Sequence, residues 1–136
     1  MKAFFLGLLI LPILGYAQTW PQWRGPDASG HAPIGIYPKF WSSQKNISWK
    51  TNLPGRGHSS PVHDDQYIWV TSALETSASE KEKEARLKEN KGLPTVTVLS
   101  KVSLRALKID PVSGKILKNI KVFEKSQPQW VHKLNS

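Results

Sequence analysis

Gln66-Tyr67-Ile68-Trp69-Val70-Thr71-Ser72 is the stretch that decides the fold, because its β-branched and aromatic residues make it the strongest strand in the chain. Asp64-Asp65, just before it, reads as a tight turn, since short acidic side chains bond their own backbone. His58 to His63 precedes that turn and is a short strand candidate. Leu53-Pro54-Gly55-Arg56-Gly57 breaks the pattern upstream. Before the break, Ile47, Trp49 and Thr51 alternate with Ser48 and Lys50, which predicts an isolated, half-buried strand over 46–52.

Downstream the character changes. Residues 74–93 read as a charged helical insertion, strongest over Ser79 to Gly92. Ser77 or Ser79 can cap its start, and Gly92 suits its end. Ala85 and Leu87 are the only apolar residues of that stretch, so it has no hydrophobic face and is expected to be solvated. Strand character returns at Thr95 to Leu99 and again over 102–109. Asp110-Pro111-Val112-Ser113-Gly114 is a turn with Pro and Gly well placed, and 116–123 is a last strand. Glu124 to Ser136 is polar and reads as irregular. The expected fold class is therefore mainly β. Four strands, near 58–63, 66–73, 102–109 and 116–123, make one four-stranded antiparallel unit, the size of a β-propeller blade. No second copy of the pattern is present.

The front of the chain carries an address. Lys2 followed by the apolar run Phe4 to Leu14, then Gly15-Tyr16-Ala17, has the form of a secretory signal peptide over 1–17, cleaved after Ala17. The alternative is an uncleaved membrane anchor, which the short apolar core and its Pro12 disfavour. No membrane span is expected after cleavage, and the protein is expected to be exported, periplasmic or extracellular. Residues 18–45 are rich in Pro, Gly and Trp and read as an irregular arm, with Trp20, Trp23, Phe40 and Trp41 as its anchors. The chain has no cysteine, so an exported protein of this kind rests on its core and not on disulfides.

Net charge is +9 over 136 residues, concentrated near the end. Lys101, Arg105, Lys108, Lys115, Lys118, Lys121, Lys125 and Lys133 face only Asp110 and Glu124 in residues 101–136. Such a cluster can attract anionic polymers, or form a solvated outer surface. Nucleic acid is a poor partner for an exported chain, and no aromatic-basic motif accompanies these lysines.

Taken together, three motifs resemble the N-terminal region of bacterial quinoprotein-like (PQQ-like) β-propeller repeat proteins. They are Trp20-Pro21-Gln22-Trp23-Arg24-Gly25-Pro26, Gly57-His58-Ser59-Ser60-Pro61-Val62, and Leu107 to Lys118 with its Asp110-to-Lys115 turn. Ile47-Ser48-Trp49-Lys50 is similar to the strand ending in Trp-Lys that the family places between the first two motifs. The resemblance implies that 46–136 is an incomplete propeller region and that the chain is a fragment, the front end of a larger secreted protein. The remaining blades would be its first partners, and 46–52 could pair with the last blade to close the ring. It also implies a docking Trp whose indole packs between neighbouring blades and donates to a backbone carbonyl. Lys118 stands where that Trp is usual. Small Ser residues such as Ser59 and Ser60 would suit a narrow central channel.

No catalytic constellation stands out. His31, His58, His63 and His132 are scattered. His58 and His63 point to opposite faces of an extended strand and make a poor metal pair. Asp64 and Asp65 could add oxygen ligands, but a turn explains them. Ser59-Ser60 has no adjacent base. The expectation is therefore no catalytic and no metal-binding residue, with cofactor-binding residues unassigned and PQQ conceivable only in a full-length protein. Three functions compete. The first is a non-catalytic exported scaffold that binds protein or polysaccharide. The second is part of a PQQ-dependent quinoprotein oxidoreductase acting on alcohols or sugars. The third is a basic module for anionic polymers built on residues 101–133.

Overall fold

The computed structural model describes residues 19–88 and 96–132. In chain order its elements are β1 (Val62–His63), β2 (Ile68–Ser77), α1 (Glu80–Leu87), β3 (Val96–Thr97), β4 (Leu99–Ile109), β5 (Ile116–Ser126) and β6 (Val131–His132). The protein is mainly β. Four strands form one antiparallel sheet in the order β1-β2-β4-β5, and β3 pairs with β6 in a small second ladder. The expected signal peptide over 1–17, the expected helix end at Gly92 and residues 133–136 lie outside the described residues.

The strands are longer than their composition suggests. β2 starts at Ile68 and runs to Ser77, β4 starts at Leu99, and β5 continues to Ser126. Residues 74–77 and 124–126 are thus strand, not insertion or irregular tail. Their polar side chains hide the pairing, which is carried by the backbone from Leu74↔Ser103 to Thr76↔Lys101 and from Ser103↔Glu124 to Lys101↔Ser126. Residues 131–132 also pair, with 96–97.

The 58–63 strand is largely replaced by a looser edge. Only 62–63 form β1. Arg56 and Ala73 exchange backbone hydrogen bonds at 2.9 and 2.6 Å. Between these rungs the Ser59 hydroxyl accepts from the Thr71 N–H at 3.0 Å and donates to its carbonyl at 2.9 Å. A side chain takes the place of a main-chain rung, so the segment follows β2 without joining its ladder.

The 46–52 segment is not a strand either. Its side chains reach the 110–114 turn: Trp49 Nε1 donates to the Pro111 carbonyl at 3.0 Å, and Thr51 Oγ1 to the Gly114 carbonyl at 2.5 Å. The alternation read from the sequence reports burial of Trp49, not ladder pairing. Val70, Leu107 and Ile109 form the core on one face of the sheet, with Trp49, Ile68 and Ile116 packed against them. Leu107 is fully buried. Burying such side chains contributes about 1.5–3 kcal/mol each.

Of the two expected caps it is Ser79 that starts helix α1, with a capping box. The Ser79 hydroxyl accepts from the Glu82 N–H, and the Glu82 carboxylate accepts from the Ser79 N–H at 2.9 Å. It buries no residue of its own. It is nonetheless tied to the strands, because Arg86 donates to the carbonyls of Leu99 at 2.7 Å and Pro128 at 2.5 Å. An eight-residue helix needs such a tether, since short helices are marginal in water.

In the arm, Trp20 exchanges two backbone hydrogen bonds with His63 and adds one rung outside β1. The arm then turns sharply at Gly25, at φ +82°, where any side chain would strike the Trp20 ring. Trp20 is the only one of the four expected anchors that works as one. Trp23, Phe40 and Trp41 are 68–79% exposed, because no described segment lies against them.

Candidate functional site

Three places on the sheet gather side chains with chemical potential. The first is the 110–114 turn. Asp110 Oδ1 accepts from the Val112 and Ser113 N–H groups at 3.0 and 2.6 Å and from the Ser113 hydroxyl at 2.8 Å. The Ser113 backbone bond, more than any other cause, holds the Asp110 carboxyl below its ordinary pKa. Gly114 closes the turn at φ +71°, and the Trp49 ring lies so close that a methyl group on Gly114 would overlap it. Charge and backbone conformation are thus both used up in shaping a seat for one indole.

The second is a groove of about 260 Å³ between the 56–59 edge and β5, lined by Arg56, His58, Ser59, Ala73, Leu104 and Val122 among others. Its two guanidinium groups are engaged: Arg56 pairs with Glu75 at 3.4 Å, and Arg105 donates to the Asn119 side chain at 2.7 Å and its carbonyl at 3.1 Å. The walls are mostly apolar.

The third is a recess of about 370 Å³ at the other turn, lined by Asp64, Asp65, Gln66, Tyr67, Trp69 and Lys108. Asp64 Oδ1 accepts from the Gln66 and Tyr67 N–H groups at 2.8 and 2.6 Å, and Oδ2 accepts from Trp69 Nε1 at 3.0 Å. These bonds, led by that from Gln66, lower its pKa. The Lys108 ammonium sits 3.3 Å above the Tyr67 ring centre and 5.8 Å from that of Trp69.

The residues singled out in the sequence do not converge. His31 lies in the arm, His58 on the groove, and His63 in β1 opposite Ile68, while the His132 backbone pairs in β6. Among the described residues no three of His, Cys, Asp and Glu stand together as metal ligands. Ser59 serves the sheet edge. The basic cluster of 101–125 is divided by the pleat. The register puts Lys101, Arg105 and Lys121 on the core side of β4 and β5, where Glu124 lies 3.8 Å from Lys101 and 3.7 Å from Lys121, and puts Lys108, Lys118 and Lys125 on the other side. Sequence reading missed the cluster of Tyr67, Trp69 and Lys108. Its one available signal was the i,i+2 spacing of the two rings, which places them on one face.

No protein family, curated protein or solved structure matches the chain. No helix among the described residues is long and apolar enough to cross a membrane.

Proposed function

We propose that the chain is one wedge of an exported, non-catalytic β-propeller scaffold of the quinoprotein-like kind. The observation that carries this reading is Trp49. Its indole comes from outside the sheet, rests on Gly114 and donates to the Pro111 carbonyl. That is the contact the resemblance implies for a docking indole between neighbouring blades. In this reading Trp49 is the indole of the preceding wedge, seated on the turn of this one. Lys118 is then the position that would face the following wedge.

The opposite face supports the same reading. Ala73, Leu104, Ala106, Ile120 and Phe123 form an apolar band there, and Leu104, Ile120 and Phe123 are each 42–52% exposed. A blade buries both faces against its neighbours, and among the described residues one is covered while the other is open. The signal-like 1–17 segment supports export.

The scaffold and oxidoreductase readings separate in one assay. The full-length protein is incubated with PQQ and calcium, then tested for dye-linked oxidation of alcohols and sugars. The scaffold reading expects neither stoichiometric quinone uptake nor turnover. Uptake with turnover would replace it by the oxidoreductase.

A further inference from the structure

The arm upstream of the sheet carries an inference that goes beyond the wedge reading and stands without it. We infer that the loop 33–41, led by Ile34 and Ile36, docks the protein on the surface of an anionic phospholipid bilayer.

Local bonds build the loop. The Tyr37 hydroxyl donates to the Pro33 carbonyl at 2.7 Å and closes residues 33–37. The Tyr37 ring lies on Gly35, where an added methyl group would stand 3.2 Å from it. Just downstream, Asn46 Nδ2 donates to the Phe40 carbonyl at 2.7 Å, and Ser42 and Lys45 exchange backbone bonds at 3.0 and 3.2 Å. Pro33 and Pro38 fix two φ angles around the turn. A loop already closed and stiffened in this way has less freedom to lose on binding.

What the loop presents is apolar. Ile34 and Ile36 are fully exposed, so both side chains stand clear of the described protein, and Phe40 and Trp41 follow, largely exposed. Single exposed apolar side chains are ordinary, whereas a group this close along the chain marks a contact surface.

Charge points to the partner. From residue 20 to 63, Asp27 is the only acid, against Arg24, Lys39, Lys45, Lys50 and Arg56. Asp27 itself is held by the Ser29 N–H at 3.1 Å and the Ser29 hydroxyl at 2.8 Å. Lys39 and Lys45 bracket Phe40 and Trp41, and neither forms an ion pair with a described residue. Aromatic rings between lysines suit the headgroup layer, where rings sit at the apolar boundary and ammonium groups meet lipid phosphates. A protein partner would need a matching pocket for each isoleucine, whereas fluid acyl chains take any shape. The N–H groups of Ile34 and Ile36 bond to no described residue. Hydrocarbon cannot satisfy them, so the loop stops at headgroup depth.

The test is co-sedimentation of the chain from residue 18 onward with vesicles of phosphatidylcholine and phosphatidylglycerol, beside vesicles of phosphatidylcholine alone. Binding is expected to be stronger on the anionic vesicles. Ile34→Ser together with Ile36→Ser should weaken it about tenfold, the scale of partly burying two such side chains. Both side chains stand in solvent, so circular dichroism should show an unchanged fold. Lys39→Gln with Lys45→Gln should weaken binding about fivefold, on anionic vesicles only. Because the chain has no cysteine, Ile36→Cys can carry an environment-sensitive dye, with exposed Val112→Cys on the far turn as control. Vesicles should shift the dye at 36 to the blue and leave the dye at 112 unchanged. Absence of vesicle binding, undiminished binding by the double isoleucine variant, or equal shifts at 36 and 112 would each overturn the docking loop. So would a dye at 36 already blue-shifted before vesicles are added, which would mean that protein covers it.

Discussion

The two faces of the central sheet are built from the same three long strands and meet opposite fates. On one, Val70, Leu107 and Ile109 are buried under Trp49, a residue 62 positions from the Pro111 carbonyl to which it donates. On the other, Leu104, Ile120 and Phe123 stand half in solvent with no described segment laid over them. Both faces carry an apolar patch, at mid-strand on the open face and at the strand ends nearest the 110–114 turn on the covered one. The difference is a cover: among the described residues one face has a neighbour that brings its own indole, and the other has none. The apolar pattern of a strand therefore records what a surface is made to meet, and not whether its partner is present.

Truncation should expose this difference most strongly. Leu107→Ala on the covered face is expected to destabilise the sheet by about 3 kcal/mol, because it removes a fully buried side chain and leaves a cavity. Phe123→Ala on the open face should change stability by less than about 1 kcal/mol, since its ring is half exposed. Urea denaturation followed by tryptophan fluorescence compares the two. Equal losses would mean that the open face is covered in solution.

Trp49 tests the cover itself. Trp49→Ala should cost about 2 kcal/mol and free the 110–114 turn, seen as faster amide exchange at Ser113 and Gly114. Trp49→Phe keeps a ring on Gly114 but loses the bond to Pro111, and should cost about 1 kcal/mol. If Trp49→Ala left exchange in the turn unchanged, the docking account would fail.

The smallest effect is in pH, where the two turns act alike. The bound backbone N–H groups lower the folded-state pKa of Asp64 and Asp110 below the ordinary carboxylate value. A group depressed in the folded state contributes stability that is full above its unfolded pKa, near pH 4, and is lost as pH falls through its folded value. Stability should therefore hold from neutral pH down to about pH 5 and decline below about pH 4. Asp110→Asn should flatten part of that decline in acid denaturation curves, and an unchanged acid limb would contradict the assignment.

These contrasts also show which features could be read before the structure. β-branched and aromatic runs placed β2, β4 and β5, because those residues suit a pleated surface wherever it lies. A serine cap at Ser77 or Ser79 and the two Asp turns were equally plain, because their bonds are local. Segment 46–52 was misread, since alternation measures burial and cannot tell a backbone ladder from side chains gripping a turn. Trp23, Phe40 and Trp41, expected to bury against something outside the arm, stand exposed among the described residues, because a large ring signals a need for contact and composition does not say whether it is met. The register that sets Lys108 opposite Lys118 across β4 and β5 was out of reach. Leu117, an extra residue at a bulge beside that pair, fixes it, and nothing local in the sequence marks the bulge.

The central claim is that this sheet is a wedge with one flank covered and one bare. Differential scanning calorimetry of the chain from residue 18 onward, at several concentrations, tests it most directly. A self-contained domain of this length would unfold with an enthalpy of about 80 kcal/mol near 60 °C. The account predicts a broad, low-temperature transition well below that value. A sharp, concentration-independent transition of the monomer at high temperature, with the full enthalpy, would contradict it.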